Sequence, residues 1–132
     1  MTVAEAPYAI SYVDPLVGGQ RAAKRQILLG WGEGTSAVGA VIAKREAGHC
    51  KKIRVADPYQ LRVSIQCGHI VATNLSDVCS IDYAVFHVGL DQRGILDEFN
   101  AAVRQRGRLV AQLKIHGVVY EQLWYLPHAS TP

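Results

Sequence analysis

The stretch Ile81–Leu90 is apolar at both parities of an extended chain, the pattern of a central strand covered on both faces. A strand of that kind cannot stand at an edge. It needs neighbours on each side and cover above and below, so the rest of the chain is read for what it can supply. Arg108–His116 alternates, with Leu109, Ala111, Leu113 and Ile115 facing in and Arg108, Val110, Gln112, Lys114 and His116 facing out. Val118–Leu126 follows after Gly117, which suits a tight hairpin turn. Tyr59–Gln66 alternates as clearly, with Tyr59, Leu61, Val63 and Ile65 on one face. Shorter strands are expected at Tyr8–Val13, Lys24–Trp31 and Lys51–Val55, and His69–Thr73 continues a hairpin past Gly68.

Two helices fit between these strands. Asp91 can cap one near 92–106, in which Ile95, Leu96, Phe99, Ala102 and Val103 form a stripe that Gly107 ends. The other spans 35–47: Ala37, Ala40, Ala43 and Ala47 favour helix, Thr35 or Ser36 caps it, and Gly48 stands at its exit. Val38, Val41 and Ile42 would also suit a strand, and that choice sets the topology. The expected fold is α+β: one domain over 1–132, a mostly antiparallel sheet that can close toward a barrel, and two helices. Residues 1–20 read as an extended arm and 127–132 as a flexible tail.

Hydrophobic residues make up 49% of the 132 and charged residues 19%, which excludes a disordered chain. No apolar run reaches the roughly 18 residues that cross a bilayer, and the first residues lack the pattern of a signal peptide. Three cysteines, Cys50, Cys67 and Cys79, are too few for a disulfide framework and read as reduced thiols in the cytoplasm. Their spacing to His49 and His69 does not make a metal site, and no cofactor is called for.

The net charge of +3 is modest, but its distribution is uneven. Lys51, Lys52 and Arg54 lie beside Lys44 and Arg45. Arg104, Arg106, Arg108 and Lys114 form a second group, and Glu121 is the only acid after residue 100. Basic side chains neutralise phosphate, and exposed aromatics stack on bases. Lys51, Lys52, Arg54, Arg108 and Lys114 are the phosphate candidates, and Tyr120 and Trp124 the stacking candidates. Ile81–Leu126 resembles the end of single-stranded-DNA-binding OB domains: an apolar strand, a short helix, the basic step Arg106-Gly107-Arg108 and a strand hairpin. That resemblance implies a barrel and single-stranded nucleic acid as the ligand. The helix at 35–47 departs from it, because the family has a strand meander there.

A second reading starts from Gly30-Trp31-Gly32-Glu33-Gly34-Thr35-Ser36, a glycine-rich loop entering a helix. Gly30, Gly32, Gly34, Thr35 and Ser36 could cradle a phosphate against unpaired amides, making this a nucleotide-binding enzyme domain. The spacing is neither that of a dinucleotide fold nor that of a P-loop. A third reading is an interaction or inhibitor module whose basic patches meet an acidic protein. The expectation is a binding protein rather than an enzyme. Its partners are nucleic acid, further copies of itself or another protein, and not a membrane.

Overall fold

The computed structural model describes residues 34–60, 65–115 and 117–128. Among these residues are five strands, β1 (Arg54–Ala56), β2 (His69–Val71), β3 (Tyr83–His87), β4 (Arg108–Ile115) and β5 (Val118–Tyr125). Three α-helices accompany them, α1 (Thr35–Glu46), α2 (Val88–Arg93) and α3 (Asp97–Arg106), with short 3-10 turns at Cys50–Lys52 and Leu75–Asp77. The strands form one sheet in the order β2-β1-β3-β5-β4. β1 is parallel to both β2 and β3, while β5 is antiparallel to β3 and β4. The sheet is therefore mixed and open. It is neither mostly antiparallel nor closed into a barrel, which corrects both expectations and removes the barrel that the OB resemblance implied.

β3 is the covered central strand, with all five of its residues buried. Its side chains alternate into two cores. On one face Tyr83 and Val85 meet Val38 and Ile42 of α1, with Val55, Ile65, Cys67 and Leu123. On the other, Ala84 and Phe86 meet Phe99 and Val103 of α3, with Ala56, Val78, Ile81 and Leu126. A strand flanked by helices on both sides has no polar face to show, which is why its sequence does not alternate.

The segment at 35–46 is a helix. It leaves Gly34 at φ 92° and ends on Ala47, also left-handed, whose amide bonds the Ala43 carbonyl. The single helix expected near 92–106 is two. α2 begins directly after β3 and stops at Gly94, which takes φ 65°, and α3 starts three residues later. Tyr59–Gln66 is only partly described. Residues 58–59 form a turn and 61–64 lie outside the described residues, as do the strands expected at Tyr8–Val13 and Lys24–Trp31. β2 pairs in parallel with β1 and so does not continue a hairpin.

The cysteine expectation is also corrected. Cys50 and Cys67 are joined in a disulfide with their Cα atoms 4.8 Å apart, leaving only Cys79 as a free thiol. The two sulfurs meet because the segment entering β2 packs against Ile53. The His69 amide donates to the Ile53 carbonyl at 2.7 Å, and a side chain on Gly68 would come within 2.8 Å of the same oxygen. Closing this loop restricts the unfolded chain by about 3 kcal/mol on the loop-entropy account. The double variant Cys50→Ser/Cys67→Ser should lose roughly that much stability in urea unfolding. An unchanged midpoint would mean that the bond constrains little.

Candidate functional site

Among the described residues two places carry chemistry, one buried and one open. The buried one lies where the parallel strands end. From β1 the chain leaves toward β2, and from β3 it leaves toward β4 on the far side. Adjacent strands whose connections depart in opposite directions open a crevice at their carboxyl ends, where open α/β sheets place ligands. Here the crevice is filled by the protein's own charges. Asp57 follows β1, His87 ends β3 and Glu121 lies opposite His87 on β5, and all three are buried.

His87 Nε2 lies 2.8 Å from Asp57 Oδ1. Its Nδ1 stands 3.1 Å from Glu121 Oε1, an ion-pair contact that is off the direction of a hydrogen bond. Thr35, the first residue of α1, donates from Oγ1 to Glu121 Oε1 at 2.8 Å. The Tyr59 amide donates to Asp57 Oδ1 at 3.2 Å, and the Tyr59 ring covers His87 with centroids 4.5 Å apart. Burial alone would push the imidazole pKa down. The hydrogen bond to Asp57 and the charges of Asp57 and Glu121 close by outweigh burial and raise it to about 9. That direction favours the imidazolium at neutral pH, with carboxylate oxygens 2.8 and 3.1 Å from its two ring nitrogens. Burial lifts the Glu121 carboxyl above its usual range, with His87 and Thr35 opposing and the Asp57 charge adding.

This arrangement binds α1, β1, β3 and β5 to one another. With His87 Nε2 bonded to Asp57 and all three side chains buried, the cluster holds these elements together. Of the glycine-loop residues, Gly30 and Gly32 lie outside the described residues, Gly34 and Thr35 are buried and Ser36 is exposed. At the first turn of α1, Thr35 Oγ1 is bonded to the buried Glu121 carboxyl.

The open place is the β4–β5 hairpin with the end of α3. Cross-strand partners share a face, and Leu109 pairs with Trp124 and Gln112 with Gln122. Phe86 pairs with Gln122 from the other side. The Phe86 and Trp124 rings lie 5.6 Å apart, and the Arg104 guanidinium sits 5.1 Å from the Phe86 centroid. Trp124 Nε1 donates to Gln122 Oε1 at 3.2 Å. Beside them is a cavity of 220 Å³ lined by Phe86, Val88, Asp91, Arg104 and residues 119–122. On the opposite face Arg108 and Arg45 flank the Tyr125 ring at 5.3 and 5.4 Å.

The expected site residues separate on this frame. Arg104, Arg106, Arg108 and Lys114 are exposed and Trp124 is half-buried, all on the hairpin or the end of α3. Tyr120 is not available for stacking: it is 2% exposed and packs with Val88, Ile115 and Val118. Leu109 was expected to face in but is 41% exposed, because a bulge between Leu109 and Ala111 shifts the alternation of β4. Lys51 and Lys52 are exposed on their 3-10 turn, which precedes β1. That strand is three places from β4, or about 14 Å at ordinary strand spacing. Arg54 is committed to structure. Its Nη1 donates to Ser80 Oγ at 2.8 Å, and its amide donates to Asp82 Oδ2. Lys51 and Lys52 are therefore apart from the hairpin cations, whereas Arg45 of the first basic group meets Arg108 of the second at the Tyr125 ring.

Among the described residues no group of three or more His, Cys, Asp or Glu is placed to hold a metal ion, and no helix is long and apolar enough to cross a membrane. No family model, curated protein or solved structure matches the chain.

Proposed function

We propose that the protein binds single-stranded nucleic acid on the β4–β5 hairpin. The observation that carries this reading is a half-buried tryptophan beside a small mixed-polarity cavity, with Arg104 and Arg106 exposed at the end of α3 and Arg108 and Lys114 exposed on the edge strand β4, Arg108 on its opposite face. Arg106, Arg108 and Lys114 contact phosphates. Trp124 stacks on a base, and Leu109 next to it extends the apolar platform. The cavity is of a size for one unstacked base, with Phe86 as an apolar wall and Arg104, Gln122 and Asp91 as polar groups at its edge. Single strands are favoured over duplex because the platform is a flat strand pair with an aromatic on it.

Trp124→Ala tests the stacking role. Loss of one base–aromatic stack costs about 1–3 kcal/mol, so affinity for a labelled single strand should fall roughly tenfold with the salt dependence unchanged. A variant that binds as tightly as the parent would remove Trp124 from the site. On this reading the protein works in the cytoplasm.

A further inference from the structure

We infer that copies of this chain associate head to tail, through a contact that joins the two ends of α3. Three large hydrophobic residues are exposed among the described residues: Leu75 at 51%, Ile95 at 61% and Leu109 at 41%. Leu75 and Ile95 line one groove of 420 Å³ with Gly94, Leu96 and Phe99, and the exposed carboxylates of Asp97 and Glu98 stand at its edge. Leu109 stands at the other end of the helix, next to Arg108 and just past Arg106 and Arg104. Charge is thus segregated along α3, with acids in its first turn and bases in its last. Each end carries its own apolar anchor.

The two ends are complementary in sign and cannot meet within one molecule. Asp97 and Arg106 are nine steps apart on a straight helix, about 13 Å. A second copy can bring its basic end, with Leu109, to the acidic groove of the first. Different patches then meet at the contact, so it is heterologous: it either closes into a ring or continues as an open chain. Apolar anchors rimmed by opposite charges are the ordinary composition of a specific interface. The occupant of the groove is another copy of this chain, and the inference does not depend on nucleic-acid binding.

The test is sedimentation velocity on the full chain, freed of nucleic acid by nuclease treatment, over a concentration series at low salt and at about 0.5 M salt, where surface charges are screened. The wild-type mass should rise with concentration at low salt and fall back toward the monomer at high salt. Glu98→Lys spoils only the acidic end and Arg106→Glu only the basic end, so each should remain monomeric alone. Mixed, they should associate, because each supplies the end that the other lacks. Ile95→Asp, which removes the anchor, should be monomeric alone and should associate with Glu98→Lys no better than either does by itself. A wild-type protein that is monomeric at every concentration would overturn the inference. So would association that the variants leave intact, or single variants that stay apart when mixed, as they would if like patches met at a two-fold axis.

Discussion

His87→Ala should cost about 3–5 kcal/mol of folding stability, the range for removing one partner from a buried charge group. That is a large share of the roughly 5–15 kcal/mol that holds a domain together. The variant leaves Asp57 and Glu121 buried at the end of the parallel strands with no cation between them. The physical cause is the uncompensated charge rather than the lost volume, and a second substitution separates the two. Adding Glu121→Gln to His87→Ala removes one of the stranded charges, so the double variant should be more stable than the sum of the two single effects implies. Urea unfolding of the four proteins measures this. Additive losses would place the cost in packing instead.

The same cluster sets the pH dependence. The folded pKa of His87 is raised from 6.5 to about 9, so the native protein holds that proton more tightly than the unfolded chain does. Its contribution is fully present below pH 6.5 and is lost as pH rises through about 9. Over that window the loss amounts to about 3 kcal/mol. The raised Glu121 carboxyl acts in the same direction, its share declining as pH rises through its folded value. Stability should therefore fall from mildly acidic to alkaline pH, and the slope should flatten in His87→Gln. A parent protein equally stable at pH 6 and pH 9 would contradict the assignment of an imidazolium at His87.

Much of the architecture was legible because it rests on local pattern. β3 had to be central because it is apolar on both faces, and α1 was marked by its alanines and by Gly48 at its exit. The hairpin showed in two runs joined by Gly117. Parallel pairing was not legible: β1 and β2 are three residues each, too short for periodicity to fix direction. The break at Gly94 was hidden because Ile95 extends the apolar stripe of α3 yet is one of the most exposed hydrophobics in the fold. The disulfide depends on the approach of Cys50 and Cys67 across a loop, which spacing does not determine. The buried cluster did leave a signal. His87 interrupts an apolar strand and Glu121 is the sole acid after residue 100, but only the pairing of β3 with both β1 and β5 brings the two to Asp57. On the surface, the bulge in β4 decided which residues face out, and a bulge has no sequence mark here.

The loss of nucleic-acid binding with salt should be steep. Three phosphate-contacting cations, Arg106, Arg108 and Lys114, are exposed at the end of α3 and on β4. If each neutralises one phosphate of a single strand, the slope of log affinity against log salt is about −2.1. Affinity should then drop about 20-fold between roughly 50 and 200 mM salt. Arg108→Ala should flatten the slope by about 0.7 and weaken all sequences alike. Lys51→Ala and Lys52→Ala lie apart from these cations and should leave the slope unchanged.

The most direct test of the hairpin as a nucleic-acid surface is fluorescence anisotropy of labelled single- and double-stranded oligonucleotides across that salt series, run on the parent and on Arg108→Ala. The account predicts salt-sensitive binding with a preference for single strands, and a shallower slope for the variant. No binding at the lowest salt, or a slope that Arg108→Ala does not move, would contradict it.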